Sequence, residues 1–96
     1  MGKIRKFKPE DYGQLASWAA DRDVSLPPLD ALSTIGLIVD DVAAGFLYFT
    51  NSIIALLEGF IANPKADKND RDSAINWITL NLIELAKSNG VKILKC

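Results

Sequence analysis

Histidine is absent from the 96-residue chain, and cysteine occurs once, as Cys96. Without an imidazole there is no Ser–His–Asp or Cys–His nucleophile system. Structural zinc takes four Cys or His ligands, and one thiol does not supply them. A lone cysteine forms no intramolecular disulfide, and a free thiol fits a reducing cytoplasm. Charge of either sign is not in excess. The 11 basic and 12 acidic residues leave a net charge of −1, so the basic footprint of a nucleic-acid binder is missing.

Long apolar runs are scarce as well. The longest uncharged stretch, Val42 to Leu57, is shorter than the roughly 20 residues that cross a bilayer, and Thr50-Asn51-Ser52 interrupts it with a turn signal. The start, MGKIRKFK, is basic but lacks the apolar segment of a secretory signal. Gly2 has Lys6 where a myristoylation motif wants Ser or Thr. These absences lead us to expect a cytoplasmic protein that engages neither membrane nor nucleic acid. What is present is globular in composition: 49% of residues are hydrophobic, which excludes a disordered chain and suits one domain over residues 1–96.

The order of residues predicts the elements. Ile4 to Phe7 reads as a short strand. Pro9-Glu10-Asp11 opens a helix, since proline suits the first helical position and acids suit the positive end of the dipole. Tyr12, Leu15, Ala16 and Ala19 continue it as one apolar stripe ending near Asp21. Pro27-Pro28 blocks a helix there, leaving one turn over Leu29 to Leu32. Gly36 to Val39 is β-rich, and Asp40-Asp41 makes a tight turn. Val42 to Phe49 and Ile53 to Ala62 are apolar on both alternating sets, as strands covered on both faces are. Asn51-Ser52 turns between them. Asn63 to Asp70 reads as a polar loop.

From Arg71 to Ser88 the period is helical, with Ala74, Ile75, Ile78, Leu82, Ile83, Leu85 and Ala86 on one half of the wheel. Asn89-Gly90 supplies the left-handed stop, and Val91 to Leu94 is a last strand. The order β-α-(turn)-β-β-β-α-β predicts an α/β chain with a mixed sheet, α+β in its hairpin half, and helices on both faces.

This order resembles the amino-terminal two-thirds of the GNAT N-acetyltransferase fold, most closely a short phage-type acetyltransferase-like protein. Ile4 to Asp11 resembles the family's opening strand and helix start. Gly36-Leu37-Ile38-Val39-Asp40 and Val42-Ala43-Ala44-Gly45-Phe46 resemble its second and third strands. Phe60-Ile61-Ala62-Asn63-Pro64 resembles the end of the fourth, often L-x-V-x-P, and Asn89-Gly90-Val91 the entry to the fifth. The resemblance implies acetyl-CoA as co-substrate and transfer of its acyl group to an amine.

The same resemblance implies a site. The family holds the acetyl-CoA pyrophosphate on backbone amides of a Q/R-x-x-G-x-G/A loop opening the long helix. The matching stretch is Arg71-Asp72-Ser73-Ala74-Ile75-Asn76, with Ala74 and Asn76 where glycines are usual. Arg71, Ser73, Ala74, Ile75 and Asn76, with Ile61 and Ala62 of the fourth strand, are therefore the expected cofactor contacts. Asp67, Asp70 and Asp72 nearby are balanced by Lys65, Lys68 and Arg71, so electrostatic help to an anion is small. No metal is implied. The family continues past its fifth strand with a helix and further strands, whereas the sequence stops at Cys96. The expectation is a truncated version or a partner chain that supplies the rest. An exposed sheet edge then favours a homo-oligomer, a dimer being the simplest.

Several residues carry two readings. Glu58, the only side chain charged at neutral pH between Val42 and Ala62, is either a general base on the fourth strand or a carboxylate solvated at an edge. Arg71 with the amides after it either holds a phosphate, or Asp70 caps the helix and the loop holds nothing. Trp77 and Leu80, opposite the apolar stripe, are either a partner surface or lie under another segment. Tyr12 and Tyr48 supply a phenol or fill the core. Cys96 is not expected to act as a nucleophile. Two functions follow: an acyl-CoA N-acyltransferase-like protein that binds CoA weakly, with Glu58 as base, and a non-catalytic interaction module built on the same fold.

Overall fold

The structure is a computed structural model that describes residues 3–24, 26, 28–32, 35–49 and 54–95, with residues 31, 58, 59, 94 and 95 described by backbone alone. Strand β1 (Ile4–Lys6) leads through a 3-10 turn at Pro9–Asp11 into helix α1 (Tyr12–Asp21). A second 3-10 turn, Leu29–Ala31, precedes β2 (Gly36–Val39), β3 (Ala43–Phe49) and β4 (Ile54–Ala62). Helix α2 (Lys68–Ser88) and strand β5 (Ile93–Lys95) complete the order. The elements follow the sequence expected from the residues, with ends shifted by a few positions.

The five strands form one sheet in chain order, β1-β2-β3-β4-β5. The first four pair antiparallel and β5 lies parallel to β4, so the sheet is mixed. Antiparallel neighbours need only a tight turn, whereas the parallel pair needs a crossover, which α2 provides. The two helices cover opposite faces. Along β3, Ala43 and Leu47 pack with Ala74, Ile78, Leu82 and Ala86 of α2. The intervening Ala44 and Phe46 pack with Leu15, Trp18 and Ala19 of α1. This double covering is why β3 is apolar on both alternating sets. Trp18, which the apolar stripe read from the sequence omitted, is 4% exposed and anchors the α1 side.

The Asp40-Asp41 turn forms as expected, with the Val42 amide donating to the Val39 carbonyl at 3.0 Å. Asp41 takes φ +63, a left-handed conformation that Asp tolerates better than most residues. Gln14 Nε2 donates to the Asp41 carboxylate at 2.7 Å, and Asn63 Nδ2 to its carbonyl at 2.8 Å, tying the turn to α1 and to the end of β4. The expected Asn51-Ser52 turn lies outside the described residues, as does Cys96.

Helix α2 begins one turn earlier than the apolar period suggested, at Lys68 and not Arg71. Asp67, not Asp70, is its N-cap, accepting from the Asn69 amide at 3.1 Å. At the other end Gly90 adopts φ +80. Its amide reaches the Lys87 carbonyl at 3.1 Å and that of Val91 reaches Ala86 at 3.1 Å, the paired bonds of a glycine-terminated helix.

Candidate anion-binding cleft

Strand β4 outruns its parallel neighbour. Only Ile54, Ala55 and Leu56 are in register with β5, and Leu57 to Ala62 continue without it among the described residues. The strand is also bulged. Ala44 faces Ile61 and Phe46 faces Glu58, so Gly45 alone opposes both Gly59 and Phe60. A bulge bends and twists its strand, and the glycine inside an otherwise apolar run is the sequence signal for it.

Past Ala62 the chain reverses through an Asn63 turn. The Lys65 amide donates to Asn63 Oδ1 at 2.9 Å and the Ala66 amide to the Asn63 carbonyl at 3.1 Å. This brings the start of α2 back beside the end of β4. A cleft of about 450 Å³ opens there. Its walls are Phe60, Ile61 and Ala62 of β4, one face of α2 carrying Lys68, Arg71, Asp72 and Ile75, and the segment after α1 with Arg22, Val24 and Leu26. The α2 residues fall at i, i+3, i+4 and i+7, the spacing of one helical face.

Arg22 enters the cleft by a tertiary route. Helix α1 ends at it, Asp23 turns the chain at φ +54, and the Val24 amide folds back onto the Ala19 carbonyl at 3.0 Å. The Arg22 Nε then donates to the Ala62 carbonyl at 3.1 Å, joining residues 40 apart in sequence. The lining therefore holds three cationic side chains, Arg22, Lys68 and Arg71, against one carboxylate, Asp72. The sequence window around Arg71 balances to about zero. The cleft does not, because Asp67, Asp70 and Lys65 stay out of its lining and Arg22 is added.

The charges differ in how far they are answered. Lys68 Nζ and Asp72 Oδ2 pair at 2.8 Å, both well exposed. The Lys68 ammonium holds the Asp72 carboxyl below the usual carboxylate range, first by hydrogen bonding and then by charge. Arg71 is different. Among the described residues its buried Nε has no hydrogen-bond partner, although its charge also acts on the Asp72 carboxyl. A buried donor left unpaired is uncommon in folded proteins and calls for an explanation, such as strain, a catalytic role, or a bound water or ion.

Of the expected cofactor contacts, Ile61, Ala62, Arg71 and Ile75 line this cleft. Ser73 and Asn76 are exposed on other parts of the helix, and Ala74 is fully buried against the sheet. Because α2 starts at Lys68, the amides of Ser73 to Asn76 lie within its second and third turns, where donors are used by the helix itself. The Arg71 amide is already bonded to the Asp67 carbonyl at 2.9 Å. A phosphate cradle of those amides, as the resemblance implied, is not what this helix offers.

Glu58 pairs through its backbone with Phe46 on β3, next to the bulge, and its side chain lies outside the described residues. Tyr12 and Tyr48 are half-buried against the α1 side of the core. Arg22, Val24 and Leu26 line the cleft without having been singled out from sequence. A basic residue closing a helix gives no local hint of a partner 40 residues away. Among the described residues no group of three or more His, Cys, Asp or Glu is placed to hold a metal ion, and no helix is long and apolar enough to cross a membrane. No protein-family model, curated protein or solved structure matches the chain.

Proposed function

We propose that the protein is an acyl-CoA N-acyltransferase-like domain that holds a CoA-type ligand weakly in the cleft at the end of β4. The observation that carries this reading is the buried, unpartnered Nε of Arg71 in a cleft where cations outnumber carboxylates. The strand and helix order, with α2 crossing between parallel β4 and β5, supports a GNAT-like arrangement. In this chemistry the protein sets an amine beside the thioester, a base takes the amine's proton, and nitrogen displaces the thiolate of CoA. Glu58 on β4 is the carboxylate we assign as base. The early start of α2 removes the amide cradle, so affinity for acetyl-CoA is expected to be weak.

Titration calorimetry with acetyl-CoA tests the reading. Heat from the native chain that disappears in Arg71→Glu supports it. Transfer to a panel of amines that disappears in Glu58→Gln, with binding retained, supports the catalytic half. No heat from either protein at millimolar ligand leaves the second reading, a non-catalytic, homo-oligomeric interaction module. That alternative is favoured by Trp77 and Leu80 on α2, which are 37% and 55% exposed.

A further inference from the structure

We infer that α2 pairs with α2 of a second copy of the chain, antiparallel, along a seam of Asp70, Ser73, Trp77, Leu80, Glu84 and Lys87. The inference gives the homo-oligomeric alternative above its surface and its register, and to that extent rests on it. It is independent of the cleft. At about 3.6 residues per turn, Lys68, Arg71, Asp72 and Ile75 lie on the far side of the helix from the seam.

The six positions follow one another at alternating spacings of three and four residues. That is the two-line pattern of a helix that meets another helix. Asp70, Trp77 and Glu84 fall on one line, and Ser73, Leu80 and Lys87 on the other. All six are exposed, Trp77 at 37% and Leu80 at 55%. Two large apolar side chains together on a solvated helix face gain by being covered. Charge decides what covers them and in which direction. Reversing one copy about the point midway between Trp77 and Leu80 sets each seam residue across from one on the other line. Trp77 then meets the partner's Leu80, Ser73 meets the partner's Glu84, and Asp70 meets the partner's Lys87. A parallel pair would set Asp70 on Asp70, Glu84 on Glu84 and Lys87 on Lys87, three like-charge contacts that oppose it. Among the described residues no ion pair within the chain engages Asp70, Glu84 or Lys87, so these charges are available to a partner. The helix dipole favours an acid early and a base late in α2. It does not ask for Trp77 and Leu80 on the same seam. Beside the seam, Asn81 Nδ2 and Ser88 Oγ donate to the Trp77 and Glu84 carbonyls at 2.9 and 3.0 Å, so those donors lose nothing when water leaves the contact. With so few apolar side chains the contact is small and weak, and its two-fold symmetry closes it at a dimer.

The test is sedimentation of the native chain and of seam variants at low ionic strength, where exposed charges are least screened. The native chain should form a dimer and nothing larger. Ser73→Lys sets opposite charges together with the partner's Glu84 and should tighten the dimer several-fold, a gain that misfolding does not produce. Asp70→Lys and Lys87→Asp each bring like charges together at both ends of the seam, and each should weaken self-association about tenfold. An equimolar mixture of those two variants restores opposite charges at both ends and should regain the native affinity. Ser73→Lys that fails to tighten the dimer overturns the antiparallel register. So does native affinity in Asp70→Lys, because a parallel pair exchanges one like-charge contact for another. A mixture that associates no more tightly than its separate variants also overturns the seam. Association that none of the substitutions changes overturns the seam alone, and the homo-oligomeric alternative stands on another surface. A native chain that stays monomeric at millimolar concentration overturns both, and the acyl-CoA reading, whose cleft faces away from the seam, is untouched.

Discussion

The ring of Phe60 lies directly over Gly45, where an added Cβ would stand 2.4 Å from the ring Cε1. Gly45 is the single β3 residue facing the bulge, so the missing side chain gives the extra β4 residue room to fold its ring inward. The same Cβ would also meet Ile78 Cγ2 at 3.0 Å. Gly45→Ala therefore forces the Phe60 ring toward the cleft and should cost about 1–3 kcal/mol by overpacking. Urea unfolding is the measurement. Adding Phe60→Leu should recover part of the loss, so the double variant is more stable than the single losses add up to. Strict additivity would mean that Gly45 acts elsewhere.

Arg5 holds two loops to one strand. Its guanidinium meets Asp11 through Nη2 at 2.7 Å and Nη1 at 2.9 Å, while Nε donates to Asp40 at 2.9 Å. The Asp11 carboxyl also accepts from the Lys8 amide at 2.8 Å. Arg5 is the main cause that keeps the Asp11 carboxyl below the usual carboxylate range, and the Lys8 amide adds to it. A carboxyl depressed in the folded state contributes stability above its unfolded pKa of about 3.9. That stability is lost as pH falls through the lower folded value. Asp11→Asn should therefore unfold at lower urea than the native chain near neutral pH, and the gap should close as the solution is acidified below about pH 4. A gap that is constant across that range would refute the linkage. Arg5 is partly solvated, so Arg5→Met should cost about 1–2 kcal/mol and not more.

The sheet and the α2 core face were legible because both are periodic. Val42 to Phe49 is apolar on both alternating sets and is buried on both faces as far as Leu47. Ala74, Ile78 and Leu82 repeat every fourth residue and are fully buried. Leu85, placed on the same half-wheel, is instead 37% exposed, since the stripe that meets the sheet is narrower than half a helix. The start of α2 was not legible, because its first turn is solvated and carries no apolar period, and Asp67 and Asp70 are equally good caps by residue type. The cleft was half legible. Residues on β4 and α2 follow from local order, whereas Arg22 arrives only because the chain after α1 folds across the end of β4.

The two candidate caps are separable by mutation. Asp67 accepts the Asn69 amide, so Asp67→Ala should lower stability by about 0.5–2 kcal/mol. Asp70 lies in the first turn, exposed and without a side-chain hydrogen bond among the described residues, so Asp70→Ala loses an exposed charge near the positive end of the helix, about 0.3–1 kcal/mol. Thermal melts of the two variants should rank Asp67→Ala below Asp70→Ala. The reverse ranking would return the helix start to the neighbourhood of Arg71.

Helix α2 presents opposite consequences on its two sides. Ile78 is fully buried, and Ile78→Asp would place an unpaired charge in the core at a cost of several kcal/mol, enough to unfold a domain of this size. Leu82→Ala at the same side should cost about 2–5 kcal/mol. Trp77 and Leu80 face solvent, so Trp77→Ser and Leu80→Ala should change stability by less than about 0.5 kcal/mol in the monomer. If that face is where copies of the chain meet, light scattering of the native protein will show mass rising with concentration, and Trp77→Ser will suppress the rise. Fluorescence gives a second readout, because the other tryptophan, Trp18, is 4% exposed and shielded from a dissolved quencher at any concentration. Quenchable emission then reports Trp77 and should fall as copies associate. Association that survives Trp77→Ser unchanged, with Trp77 still quenchable, would move the contact away from α2, the edge of β4 beyond Leu56 being the next surface to test.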